Sequence, residues 1–162
     1  MATWLAKSEP ELYSIDDLAR DGATGWEGIR NYMARNHLRD MRVGDRVLFY
    51  HSNAEPPGVA GIAVVRKEAF ADPTQFDATN PYFDAGAKPE DPRWSSVELR
   101  FVEKFAHFVP IGVLRDDPAL EGLEVTRKGS RLSLHPVTEA HYNRITALGR
   151  DGLAGLTSRR EP

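Results

Sequence analysis

The chain has 162 residues, 41% hydrophobic and 28% charged, a composition typical of a single globular domain and unlike that of disordered or fibrous proteins. It contains no cysteine, which excludes disulfides, thiolate zinc sites and thiol catalysis. No apolar run reaches the roughly 18 residues of a membrane span, and the first residues do not resemble a signal peptide, so we expect a cytoplasmic protein without a membrane partner. We expect one domain over residues 1–150 and a loosely held C-terminal tail over 151–162.

Charge is distributed unevenly along this chain. The formal net charge of −3 and the pI near 6.0 argue against a protein that coats duplex nucleic acid. Basic residues nevertheless concentrate locally, which is consistent with one basic patch or, alternatively, with a solvated face that keeps the protein soluble. They are Arg30, Arg35, Arg39, Arg42 and Arg46 in one segment, and Arg127, Lys128 and Arg131 in another.

The first part of the chain predicts a strand and two helices. Residues 3–6 favour a short strand. A short helix follows, with Ser14 as its N-cap, an acidic residue three positions later and Gly22 at its end. Apolar residues at mostly helical spacing over 29–41 predict a second helix, with Arg30 and Asn31 in its first turn.

The middle of the chain predicts a β-sheet interrupted by one long segment. Residues 45–51 and 58–70 are rich in β-branched and aromatic residues and should pair as antiparallel strands. Residues 72–94 are rich in Pro, Asp and Asn but carry several aromatics, which favours an ordered excursion over a disordered linker. Clean alternation over 97–105 predicts a half-buried strand.

The last part predicts an apolar turn over 110–114, a strand over 130–137 and a closing helix. Thr138 is the expected N-cap of that helix and Gly149 its expected end. Strands with irregular spacing and several short helices, without βαβ alternation, indicate an α+β domain with a curved or closed sheet.

Catalytic and metal motifs are weak in this sequence. His51 and Ser52 are neighbours and would point to opposite faces of a strand, whereas Ser133 and His135 could share a face but lack a nucleophile elbow and an orienting acid. The five histidines show no metal-ligand spacing, and no phosphate-binding loop is present. The sequence therefore predicts no metal and no cofactor, and it favours binding over catalysis.

One segment suggests that the protein binds a flat polar ligand. Nucleobases are held by stacking on aromatic rings and by side chains that both donate and accept hydrogen bonds. Trp26 lies between Gly25 and Gly28, which could leave room for a ligand, although a core anchor is the alternative interpretation. Other candidates of this kind are Asn31, Tyr50 and Ser52, with Lys7, Ser8 and Glu9 at the end of the first predicted strand.

Six motifs in order resemble one known family, the EVE-domain family of the PUA-like superfamily, over about residues 2–149. The resemblance implies a PUA-like curved β-barrel of about five to seven mostly antiparallel strands with several short helices packed around it. The motifs are "WLAKSEP", "WEGIRNYMARNHLRDMRVGDRVLFYHSN", "PPGVAGIAVV", "DPTQFD", "PRWSSVELRFV" and "SRLSLHPV".

The resemblance also implies a function, namely non-catalytic binding of a nucleic acid base. The expected ligand is a flipped-out or single-stranded modified base of DNA or RNA, for example methylated or hydroxymethylated cytosine, and no particular protein partner is indicated. A small RNA- or nucleotide-directed hydrolase and a domain that binds a small anionic metabolite are the alternatives. The implied pocket residues are Lys7, Ser8, Glu9, Trp26, Arg30, Asn31, Tyr50, His51, Ser52, Arg131, Leu132, Ser133 and Pro136.

Overall fold

The computed structural model describes residues 1–153. These residues form six strands, four α-helices and three short 3-10 helices. The strands are β1 (Thr3–Ser8), β2 (Ala23–Gly25), β3 (Arg46–His51), β4 (Gly58–Ala71), β5 (Ser95–Pro110) and β6 (Leu134–Val137). The α-helices are α1 (Ile15–Asp21), α2 (Tyr32–Asp40), α3 (Ile111–Asp116) and α4 (Glu139–Asp151), and the 3-10 helices are Pro73–Phe76, Pro118–Leu120 and Glu124–Thr126.

All six strands belong to one mixed sheet in the order β2-β5-β4-β3-β1-β6. Only the β1–β3 pair is parallel among the described residues; the other pairs are antiparallel, as predicted for 45–51 and 58–70. Several register shifts interrupt the pairing of the long strands β4 and β5, and bulges of this kind bend the strands that carry them. The α+β prediction is confirmed. Within residues 1–153 the sheet edges β2 and β6 do not pair with each other.

Both faces of the central strands are buried, because neighbouring residues of a strand point to opposite sides. Trp4 and Phe49 point into the first core, which is completed by residues of α1 and α2. Leu5 and Leu48 point into the second core, on which α4 packs. The alternation continues to the end of β3, so that Tyr50 lies in the second core.

Helix starts follow the local capping chemistry closely. Ser14 forms the predicted capping box with Asp17. Asn31 is the N-cap of α2, because its side-chain Oδ1 accepts a hydrogen bond from Ala34 N at 3.0 Å. The helix therefore begins at Tyr32. The prediction that placed Arg30 and Asn31 in its first turn was wrong, because Asn31 is the cap and Arg30 lies before it.

The C-terminal part differs from its prediction in three respects. The expected apolar turn is the helix α3, and the expected strand over 130–137 is confined to β6. Helix α4 passes through Gly149 and ends at Asp151, with Gly152 as its C-cap at a φ of 69°, so the prediction that Gly149 ends it was wrong. Gly149 is buried against Phe105, and the need for a close approach explains the glycine.

Residues 154–162, which make up most of the predicted tail, lie outside the described residues. Among residues 1–153 no helix combines the length and the apolar character needed to cross a bilayer. The cytoplasmic location and the domain boundary stay predictions.

The contact between Gly149 and Phe105 can be tested by adding one methyl group. In Gly149→Ala the new Cβ would overlap the Phe105 ring, so we expect a loss of roughly 1–3 kcal/mol of unfolding free energy despite the better helix propensity of alanine. Urea denaturation measures it. In the control Gly112→Ala the Cβ meets nothing within 4 Å, and we expect no loss.

Candidate functional site

A cavity of about 550 Å³ opens where β1 and β3 end, on the side of the first core. Four stretches of chain form its walls: the end of β1 with the loop after it, the loop from β2 to α2, the residue after β3, and the loop before β6. Tyr82 adds a wall from the segment between β4 and β5. The lining residues are Lys7, Ser8, Glu9, Leu12, Tyr13, Thr24, Gly25, Trp26, Glu27, Gly28, Ile29, Arg30, Asn31, Ser52, Tyr82, Arg131 and Ser133.

Trp26 is both a core residue and a wall of the cavity. Its backbone N donates to Val97 O at 2.7 Å, which extends the β2–β5 pairing and fixes the backbone. Its indole packs edge-to-face on Phe49, with ring centroids 5.5 Å apart, and only 7% of the residue is exposed. The indole nevertheless lines the cavity, so the core anchor and the pocket wall are two sides of one ring.

The loop that carries Trp26 is held by a buried carboxylate. Asp72, which is fully buried, accepts hydrogen bonds from Gly28 N at 2.9 Å and from Arg30 Nη1 at 3.0 Å. Its other oxygen accepts from the backbone and the hydroxyl of Thr74. Burial alone would raise the pKa of Asp72, but these hydrogen bonds outweigh it and hold the pKa below the ordinary value.

The hydrogen-bond donors of Arg30 are occupied within this network. Its guanidinium donates to Asp72, to the Thr74 hydroxyl and to the Tyr82 carbonyl, as well as to the carbonyl of Ile29. All of its nitrogens therefore have protein partners. Although Arg30 lines the cavity, its guanidinium is bonded internally and fixes the loop.

Gly28 serves a different purpose from the one predicted. Its φ is 85°, and a Cβ on it would lie 2.7 Å from the Tyr82 ring. The space next to this glycine is therefore filled by Tyr82 and not by a ligand. The arrangement seals one side of the cavity and presents a second aromatic ring at its rim, since Tyr82 is 42% exposed.

Several polar groups remain free to bind a ligand. Asn31 uses its carbonyl oxygen as the helix cap, which leaves its amide nitrogen without a partner among residues 1–153. The hydroxyls of Ser52 and Ser133 likewise form no hydrogen bond within that range, although both residues are tied in place by backbone bonds to β1. In contrast, the Ser8 hydroxyl donates a hydrogen bond to Tyr13 O at 2.6 Å.

Two charged side chains at the cavity have altered proton affinities. Burial lowers the pKa of Lys7, which lies at the end of β1 above the ring of Tyr50. Partial burial, reinforced by the charge of Asp72, raises the pKa of the Glu27 carboxyl. Glu27 was not among the predicted site residues, and its only sequence signal is its place between Trp26 and Gly28.

The structure thus brings together nine of the thirteen residues expected in the pocket and separates four. Tyr50 points into the second core, and His51 accepts a hydrogen bond from Ile15 N through Nε2 at 3.1 Å. Leu132 packs against the first core, and Pro136 pairs with Trp4 on β6. All four were implied by the family resemblance, but strand alternation turns Tyr50 into the second core and packing holds Leu132 against the first.

Neither of the possible nucleophile–base pairs is assembled. Within residues 1–153 no hydrogen bond joins Ser52 to His51 or Ser133 to His135. His135 is buried, its Nε2 has no partner there, and burial lowers its pKa. No group of three potential metal-ligating side chains is found in the part of the chain that the structure describes.

A sequence model of the EVE domain matches residues 2–148. The chain belongs to the EVE-domain family. Among relatives of this EVE domain, thymocyte nuclear protein 1 of Homo sapiens is 38% identical over 165 residues, which cover 90% of this chain and 72% of that protein.

Solved structures give the same result for this EVE domain. A Pseudomonas syringae protein is 46% identical, with a TM-score of 0.88 over 91% of this chain and 99% of its own. Human THYN1 protein, solved in complex with DNA that contains 5-methylcytosine, is 34% identical with a TM-score of 0.84, and the match covers 100% of both chains.

The buried pair of Asp72 and Arg30 generates a stability prediction. Asp72→Asn leaves the Arg30 charge without a counter-charge in a mostly buried place, so we expect a loss of about 3 kcal/mol or more of unfolding free energy. Urea denaturation at neutral pH measures it. Lys104→Gln removes an exposed ion pair to Asp16 and is the control, with an expected change below about 1 kcal/mol.

The same pair predicts a pH dependence. Because the folded-state pKa of Asp72 is lowered, its contribution is fully present above the ordinary value of 3.8 and is lost as the pH falls below that value. The stability difference between wild type and Asp72→Asn should therefore shrink between pH 7 and the acid region. A difference that stays constant down to pH 3 would show that the carboxylate charge is not what stabilises the loop.

Proposed function

We propose that this EVE domain binds a nucleic acid base without catalysis, and that the base is a methylated or otherwise modified cytosine turned out of its stack. The observation that supports this most directly is the cavity itself, in which the Trp26 indole and several polar groups without a partner among residues 1–153 surround an open space of about 550 Å³. That volume falls in the usual range for small-ligand sites. The human THYN1 protein in complex with 5-methylcytosine DNA supports the choice of ligand.

The polar edge of a cytosine has matching partners around the cavity. Its exocyclic amino group is a donor and suits the Glu27 carboxylate, as acidic side chains accept from this group in other nucleic acid complexes. Its ring nitrogen and carbonyl are acceptors, which suit the free amide nitrogen of Asn31 and the hydroxyls of Ser52 and Ser133. The ring itself would lie against Trp26.

Selectivity for a modified base must come from the shape of the wall. Burying one extra methyl group contributes only about 0.8 kcal/mol, roughly a fourfold preference. Stronger discrimination would need a close apolar niche or an unfavourable contact with the unmodified base. Leu12 and Ile29 are apolar residues of the cavity that could form such a niche. We therefore expect a modest preference for the methylated base.

The sugar–phosphate backbone would run over basic groups at the rim. Arg131 is exposed beside the cavity and has no ion-pair partner among residues 1–153. Arg35 and Arg39 lie on α2, the helix whose N-cap Asn31 lines the cavity, and form hydrogen bonds to neutral groups, so their charges are not neutralised by direct ion pairs within that range. Positive charge of this kind attracts phosphates without reading sequence.

Binding to oligonucleotides tests the proposal. Fluorescence anisotropy with a duplex that carries one 5-methylcytosine should show roughly 5–150-fold weaker binding for Trp26→Ala, the loss of about 1–3 kcal/mol of stacking. Because Trp26 is also a core residue, thermal unfolding must show that the variant is folded. Equal affinity of a folded variant and the wild type would remove the indole from the site.

A second pair of variants separates reading of the base from attraction to phosphate. Glu27→Gln should reduce the preference for cytosine over other flipped bases, whereas Arg35→Gln should weaken binding of every sequence and lower the slope of log affinity against log salt by about one. Single-stranded and RNA versions of the probe test the other substrates in the same assay.

A hydrolase would behave differently in a parallel experiment. Labelled RNA or DNA should remain intact on incubation with the wild type. Cleavage that disappears in both His51→Ala and Ser133→Ala would contradict non-catalytic binding.

A further inference from the structure

A second cavity of about 500 Å³ lies on the other face of the sheet, between α4 and strands β3, β4 and β5. It shares no lining residue with the base cavity. Its floor is apolar, with Ile62, Val64 and Val102, and its walls carry basic and polar side chains. Those polar residues include Arg46, Arg100, Arg150 and Thr146.

Arg46 is held in this cavity with an unused donor. Its guanidinium carbon lies 4.3 Å from the centre of the Tyr142 ring, a cation–π contact that fixes the side chain. Its Nε is buried and has no hydrogen-bond partner among residues 1–153. Since buried donors are almost always paired in folded proteins, an unpaired one marks a place where a further acceptor fits.

Thr146 provides a second unused donor from α4. The residue is 6% exposed, and its Oγ1 is buried without a partner in the described part of the chain. A helical threonine commonly bonds back to a carbonyl of the preceding turn, but this one does not. Thr146 and Arg46 thus approach one cavity from opposite walls, each with a donor to offer.

The charge of the cavity favours an anion. Arg100 is exposed and, within residues 1–153, forms no ion pair. Arg150 is paired with Glu103, and Asp151 is the acidic residue on the wall. Two arginines, Arg46 and Arg100, therefore remain without a carboxylate partner in that range, next to an apolar floor.

The position of this cavity separates it from the proposed nucleic acid site. Arg46 begins β3, while Ser52 of the base cavity follows the end of that strand, about 20 Å away for six residues. The two cavities also lie on opposite faces of the sheet, as the two cores show. A duplex seated at the base cavity would not reach this site by following the same face.

We propose that this cavity is a second binding site, for a small organic phosphate whose oxyanion is held by Arg46, Arg100 and Thr146 and whose apolar part lies on Ile62, Val64 and Val102. Arginine suits this role because its planar donors match the oxygens of a phosphate. The phosphate would supply the acceptor that the Arg46 Nε and Thr146 Oγ1 lack within the described residues.

Isothermal titration calorimetry with phenyl phosphate as the probe tests the site. Wild type should bind, and Arg100→Gln and Thr146→Val should each bind roughly tenfold more weakly, as expected for the loss of a hydrogen bond to a charged group. Without the probe, Thr146→Val should be at least as thermally stable as wild type, because it removes an unpaired hydroxyl and keeps the shape. Inorganic phosphate should compete, but more weakly.

Two controls make the result specific. Arg66→Gln removes an exposed arginine of β4 that does not line the cavity and should bind the probe normally. Lys104→Gln, already used as a stability control, should also bind normally, since Lys104 is exposed on β5 and does not line the cavity. Binding that is absent in wild type, unchanged in both site variants, or abolished by adding duplex DNA would overturn the proposal; in the last case the arginines would belong to a DNA contact.

Discussion

The buried carboxylate of Asp72 is the interaction on which the candidate site depends. It joins the segment after β4 to the loop before α2, through Gly28 N and the Arg30 guanidinium. A charge in this position is tolerated because both of its oxygens are fully bonded. Without it, the loop that holds Trp26 and Asn31 would lose its only carboxylate contact within residues 1–153 and would depend on the Trp26–Val97 backbone bond, core packing and the bonds of Arg30 to Thr74 and Tyr82.

This arrangement explains how one short motif can serve two purposes. In "WEGIRN" the indole is anchored in the first core, the glycine makes room for Tyr82, and Arg30 locks the loop, so that Glu27 and the Asn31 amide are left to face the cavity. Within this motif, the groups that hold the loop in place differ from the groups that line the cavity. Preorganisation of this kind reduces the ordering cost of binding a small planar group.

Local chemistry made much of the chain predictable. Ser14 and Thr138 cap helices as predicted, because their side chains can accept from a backbone donor three residues later, a property of the nearby sequence alone. The alternation over 97–105 likewise predicted the buried Val97 and Leu99. The end of α4 was misjudged because Gly149 is needed for contact with Phe105 of β5, which lies far away in the sequence. The residues separated from the cavity, such as Tyr50, show the same limit.

The sequence by itself determined the α+β class, the family resemblance, the N-caps of α1 and α4 and most of the segments that line the cavity, since these follow from periodicity, short-range hydrogen bonding and ordered motifs. Only the tertiary structure decided which side chain of each segment faces the open space. Strand alternation and the bulges of β4 set the direction of each residue, and the Asp72 network decides that Arg30 is bound internally while Glu27 lines the cavity. These choices depend on pairings between residues more than forty positions apart, which no local pattern specifies.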